Sequence, residues 1–228
     1  MKKRLMPKIE GHKTVSRIVV KDCGEPLVDI KKICPQVTVY LGKDKKGAKA
    51  YLRKSVALMV KRAQSYLPKG ITFVIRDAWR SSDEQKEILA GFVTRFSAMH
   101  PEWSAKRVGQ EVAKYAMPTS GPEVSGHMTG GAVDLRLLKN GKRVPMRSWK
   151  LTYQENAQPH QPKLPKHLQR NRDMMYAALL KAGLTQCHNE FWHWSYGDVH
   201  WARRTGSRVA RYGVIGVVGK VERRKVEG

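Results

Sequence analysis

Apolar positions change their spacing several times along the chain, and each change marks an element. Leu52, Val56, Met59, Val60, Ala63 and Leu67 recur at helical spacing, which predicts an amphipathic helix over about 50–67. Pro68 and Gly70 end it. Residues 71–75 then run unbroken in apolar and β-favouring types, as a buried strand does, and 37–41 read as a shorter strand. Ser81 and Ser82 stand before the next helix, about 84–98, with Glu84 and Gln85 at capping-box distance. Ser104 caps another, reaching about Tyr115.

From Ala132 to Leu137 the pattern alternates. Val133, Leu135 and Leu137 share the face that meets a core, and Asp134 falls on the other face beside the small Ala132. Asn140-Gly141 is a hairpin signal leading to a strand over 143–146. Residues 150–167 hold three prolines, together with His160 and His167, and read as a loop. A helix over 168–182 stops at Gly183. Short strands are expected over 192–196 and 214–218.

Strands interspersed with helices and hairpin turns predict an α+β fold. The expectation is a single compact domain with a central antiparallel or mixed sheet, helices packed against it, and a metal site in a cleft. The domain is expected over 25–212, after a basic arm of 1–24 and before a C-terminal strand and basic tail of 213–228.

Composition narrows the function classes. No run of about eighteen apolar residues exists, so no membrane span is expected. The basic start has no apolar stretch behind it and does not read as a secretory signal; the cytoplasm is expected, with periplasm or cell wall as the alternative. Cys23, Cys34 and Cys187 are too few and too scattered for a disulfide framework. The formal charge of +25, from 44 Lys and Arg against 19 Asp and Glu, favours polyanions: nucleic acid, anionic membrane or anionic wall polymer. The positive residues are spread along the chain, and no zinc-finger or RNA-binding motif accompanies them, so no specific nucleic-acid partner is expected.

The chemistry concentrates in two stretches. SGHMTGGAVD, residues 125–134, offers His127 and Asp134 on either side of a glycine pair that permits a tight turn. EFWH, residues 190–193, offers His193 and Glu190. Two imidazoles and a carboxylate suit a zinc ion that keeps its fourth position for water, with the remaining glutamate free to act as a base. In a regular strand Glu190 and His193 point to opposite faces, so a bend is expected between them, with Glu190 in a turn and His193 opening a strand. His188, two residues before Glu190, is a competing ligand.

Ser125-x-His127-x-x-Gly130-x-Ala132-x-Asp134 followed by Glu190-x-Trp192-His193 resembles the paired signature of the D-alanyl-D-alanine dipeptidase family of zinc peptidases, relatives of D-Ala-D-Ala carboxypeptidases and of phage L-alanyl-D-glutamate endopeptidases. The resemblance implies one zinc ion held by His127, Asp134 and His193, in preference to His188. It implies Glu190 as the base, Ser125 as a substrate-binding hydroxyl, and Arg80 as the cation over the zinc, with Arg76 second. Residues 27–30 also resemble the dipeptidase branch, which implies free D-alanyl-D-alanine as substrate and a small closed pocket. The alternative is a wall carboxypeptidase or endopeptidase with an open cleft, which the +25 charge would suit. From another class, the charge alone would fit a basic nucleic-acid-binding protein with a vestigial metal site.

Overall fold

A computed structural model describes residues 18–216, apart from 42–44, 47 and 122. In chain order the elements are β1 (Val19–Val20), β2 (Leu27–Asp29), α1 (Ile30–Ile33), β3 (Thr38–Leu41), β4 (Lys45–Lys46), β5 (Tyr51–Arg53), α2 (Lys54–Ser65) and β6 (Ile71–Asp77). Next come α3 (Ser82–Met99), α4 (Ala105–Val112), a 3-10 turn (Gly126–Thr129), β7 (Ala132–Lys139) and β8 (Lys142–Arg143). The remainder is α5 (Tyr153–Ala157), α6 (Lys166–Lys181), β9 (Thr185–Gln186), β10 (His193–Ser195), α7 (Val199–Thr205) and β11 (Val209–Ala210).

The expected α+β fold with a mixed sheet is present. The main sheet runs β4-β3-β6-β7-β10-β9, with β8 paired to β7. β3 and β6 are parallel, and β6, β7 and β10 are antiparallel neighbours. The alternation read in the sequence orients β7: Val133, Leu135 and Leu137 are buried in the core with Phe73, Ile75, Val60 and Leu179. At about 25 cal/mol per Å² of apolar surface, such side chains contribute roughly 2 kcal/mol each to folding before entropy is counted. Asn140 and Gly141 both take left-handed backbone, φ 49° and 78°, and turn β7 into β8. Ser81 caps α3 through a reciprocal capping box with Glu84.

Several expectations shift. Residues 50–53 are not helix: Leu52 is buried, but its backbone pairs with Val28, and the Arg53 N–H is taken by the Gly130 carbonyl. An apolar residue one turn before a helix satisfies either pattern, and here the sheet partner wins. Inside the predicted loop of 150–167, α5 forms because Thr152 and Glu155 make a capping box. β8 is only two residues long, and Pro145, which has no N–H, follows closely. β9 and α7 were not predicted; α7 is capped by Asp198, whose carboxylate accepts from the Trp201 N–H.

At the ends, Val19 and Val20 pair in parallel with Val209 and Ala210, so residues 18–24 of the predicted arm lie against the domain, and 1–17 fall outside the described residues. Of the predicted terminal strand, 214–216 are not strand, and 217–218 fall outside the described residues. Among the described residues no helix is long and apolar enough to cross a membrane.

Candidate metal centre and active site

Strand register alone brings two of the three predicted donors together. His193 and Asp134 are cross-strand partners on β10 and β7, with His193 Nδ1 3.1 Å from Asp134 Oδ1. His127 arrives from the 3-10 turn before β7. Gly130 closes that turn at φ 69°, a left-handed conformation that glycine takes without steric cost.

The Ala78 carbonyl fixes the tautomer of His127. It lies 2.9 Å from Nδ1, which therefore donates and leaves the Nε2 lone pair directed at the other two donors. Nε2 is 3.1 Å from His193 Nδ1 and 3.4 Å from Asp134 Oδ1. Zinc bonds of about 2.0–2.1 Å in tetrahedral geometry separate neighbouring ligand atoms by roughly 3.3 Å, so the three donor atoms are spaced as such a centre requires. Among the described residues, this is the group of His, Cys, Asp and Glu side chains that converges on one point. His188, Cys23 and Cys34 are not members of it, and the three cysteines are free thiols.

Burial opposes charge on every donor, and the neighbours decide the outcome. Burial raises the Asp134 carboxyl, but the imidazoles of His127 and His193 outweigh it and hold the group well below the usual carboxylate range. Burial lowers His127, yet Asp77 and Asp134 carry it above its ordinary value despite the Arg80 charge. His193 stays below its ordinary value because burial prevails over the Asp134 hydrogen bond, which keeps it neutral and able to coordinate.

Glu190 lies in the turn before β10, as expected, and its carbonyl accepts the His193 N–H at 3.2 Å. Burial, reinforced by the Asp134 charge, pushes its carboxyl up to about 7, against the opposing charges of His127 and Arg136. A carboxyl in that range can take and return a proton near neutrality.

Arg80 follows β6, and its backbone N–H donates to the His127 carbonyl at 3.2 Å. Its Nη2 pairs with Asp77 at 2.9 Å and its Nη1 donates to Gln85 at 2.8 Å, whereas Nε is buried without a hydrogen-bond partner. The Asp77 pairing is what a surface arginine would also make, but this side chain is only 15% exposed. Arg76 instead lies over the Tyr40 ring. Ser125 is buried immediately before the turn, and its hydroxyl does not cap it. Trp192 and Trp194 are both buried in the core, and Trp192 also lines the cleft beside the donors.

Sequence reading missed the groove beside this centre. A cleft of about 710 Å³ has Asp134 and Trp192 in its wall together with four arginines, Arg76, Arg136, Arg143 and Arg147. That is larger than the small pocket expected for a dipeptide. Arg136 was legible, since it stands two residues after Asp134 on the same face of β7. Arg147 comes from the segment after β8 and no local signal marks it.

Two imidazoles and a carboxylate that meet at one point, with a buried glutamate close by, are a donor set suited to a divalent metal. The chain matches the profile of the D-ala-D-ala dipeptidase family over residues 31–210, and it belongs to that family. It is a zinc metallopeptidase of cell-wall metabolism. A D-alanyl-D-alanine dipeptidase from Synechocystis sp. is 28% identical over 235 residues, covering 90% of this chain and 95% of that protein. Among solved structures, VanYB in complex with D-alanine-D-alanine is 13% identical, covers 74% of this chain and 85% of its own, and has a TM-score of 0.45. The vancomycin-resistance D,D-dipeptidase VanXYg, in complex with a D-Ala-D-Ala phosphinate analogue, is 18% identical over 84% of this chain and 68% of its own, with a TM-score of 0.43.

Proposed function

We propose that the protein hydrolyses D-alanyl-D-alanine to two D-alanines, with a single zinc ion held by His127, Asp134 and His193. The spacing of the three donor atoms, 3.1, 3.1 and 3.4 Å, carries the reading, because it matches a tetrahedral zinc site without rearrangement. When bound, zinc supplies Lewis-acid chemistry, making water more acidic and the peptide carbonyl more electrophilic. Glu190 takes the proton of the attacking water and returns it to the leaving amine. Arg80 offers its unpartnered Nε–H and its charge to the oxygen that becomes negative, and the Asp77 and Gln85 contacts hold it in place beforehand. Ser125 contributes a hydroxyl to the substrate. The Synechocystis relative, a D-alanyl-D-alanine dipeptidase by name, supports the choice of dipeptide.

A second reading within the family is hydrolysis of longer cell-wall peptides, with anionic wall polymer as the partner of the +25 surface. The arginine-lined groove of about 710 Å³ favours it. Release of D-alanine from D-Ala-D-Ala by the zinc-loaded enzyme, set against digestion of purified peptidoglycan, separates the two. Activity on the dipeptide alone supports the first reading, and activity on peptidoglycan alone replaces it with the second. Metal analysis of the purified protein should return one zinc per chain; a zinc-free protein that retains activity would overturn the site.

A further inference from the structure

Two arginines in the groove hold charge that no carboxylate among the described residues neutralises by contact. Arg136 stacks against Phe191 and Trp192, its guanidinium 4.4 and 4.5 Å from their ring centres. Arg147 lies 4.6 Å from the Trp192 ring centre and 5.5 Å from that of Tyr153. Arg136 Nη1 also donates to the Leu135 carbonyl at 3.1 Å. Arg172, the third guanidinium nearby, is different: it donates to the carbonyls of Met146, Asn156 and Gln158 and is structural.

The pair is held together against repulsion. Both guanidiniums lie against the Trp192 ring, so two like charges stand close together. Asp134 is engaged by His127 and His193, and Glu190 attracts Arg136 electrostatically without an ion-pair contact among the described residues. Aromatic faces hold a guanidinium in place while leaving its N–H fork free to bind a carboxylate in bidentate fashion. Trp192, which touches both arginines, lines the cleft together with Asp134, so an anion bound here lies next to the proposed reacting centre. The cleft is in the size range that takes ligands well beyond a dipeptide of two alanines.

We propose that Arg136 and Arg147, braced by Trp192, form a subsite for a carboxylate that a peptide substrate carries beyond its C-terminal one, so that the enzyme prefers an acidic peptide to its neutral counterpart. This deepens the peptidase reading above and rests on it.

The test uses two matched pairs, D-Ala-D-Glu with D-Ala-D-Gln and D-Glu-D-Ala with D-Gln-D-Ala, which differ only in the side-chain carboxylate. Calorimetric titration into zinc-loaded Glu190→Gln protein reads binding without turnover, and kcat/KM on the parent enzyme reads cleavage. In one pair the acid should bind about tenfold or more tightly than the amide, the size of a charge-assisted contact. Adding Arg147→Gln to the binding protein should bring the ratio to within about twofold. Arg147 is exposed, so this variant folds even if Arg136→Gln does not. Equal binding of acid and amide in both pairs, or a preference that survives Arg147→Gln, overturns the subsite. If binding shows the preference and its loss, but the parent cleaves none of the four peptides, the subsite stands and the peptidase reading falls. If the peptides are cleaved but acid and amide bind alike, the subsite falls and the peptidase reading stands.

Discussion

The two parts of the cleft wall treat charge in opposite ways. Around Asp134 the charged groups have near partners of opposite character: Asp134 has both imidazoles, Asp77 has Arg80, and the His127 Nδ1–H has a carbonyl, with Glu190 as the exception. Two residues further along β7, Arg136 faces aromatic rings instead, as does Arg147 from the segment after β8. The first arrangement suits an ion of fixed geometry, since the three side chains meet at one point and the Ala78 carbonyl sets the His127 tautomer before anything binds. The second leaves attraction available for a mobile anion. One strand, read at alternate positions, thus contributes Asp134 to a closed electrostatic unit and Arg136 to an open one.

The largest expected effect tests the closed unit. His193→Ala removes one of three donors and should lose zinc and activity together, whereas His188→Ala, outside the converging group, should keep both; metal analysis of the two proteins decides it. Zinc retained in His193→Ala would mean that the three atoms do not form the centre. Glu190→Gln should keep zinc but lose about 10²–10⁴-fold in kcat, the usual range for a general base. The pH profile sharpens this. The base works ionised, so kcat/KM falls as pH drops through its ionisation. In the metal-free site that ionisation is at about 7, raised by burial and then by Asp134. A cation at the donors pulls it lower, so the acid limb should lie below pH 7 and vanish in Glu190→Gln.

Next in size, Arg80→Ala should cost about 10²–10³-fold in kcat with a smaller change in KM, as loss of a donor to a developing oxyanion does. Asp77→Asn should cost less, because Gln85 still holds Nη1. Comparable losses in kcat and KM for Arg80→Ala would make the residue a ground-state binder, and the closed unit would then end at the three donors.

What was legible follows from how local each interaction is. The donor set could be read because its members sit in two short stretches, and the alternation of β7 aimed Asp134 away from the core. The bend between Glu190 and His193 followed from strand geometry once both were expected at one metal. The capping box at Ser81 and the Asn140-Gly141 turn are also complete within a few residues. By contrast, β5 was read as helix because its partner, β2, is about 25 residues away in sequence, and nothing near Leu52 announces that pairing. Arg147 reaches the groove only because the segment after β8 folds back over Trp192. Helix α5 was hidden by the surrounding prolines, although Thr152 and Glu155 held its signal.

The smallest expected effect probes the open unit, through stability rather than activity. Arg147→Gln removes stacking on Trp192 and Tyr153, at an exposed site worth about 0.5–1 kcal/mol. It also removes a like charge from beside buried Arg136, which acts in the other direction. The two contributions should nearly cancel. For a chain of this size 1 kcal/mol corresponds to roughly 2–4 °C, so thermal unfolding of the metal-free variant should stay within about 3 °C of the parent. Added salt should narrow even that difference, because the repulsion it relieves is present only in the parent. A fall of more than about 8 °C would mean that Arg147 is part of what holds the fold together. The contrast between the two parts of the cleft would then be lost, since the second would be tied to its neighbours as firmly as the first.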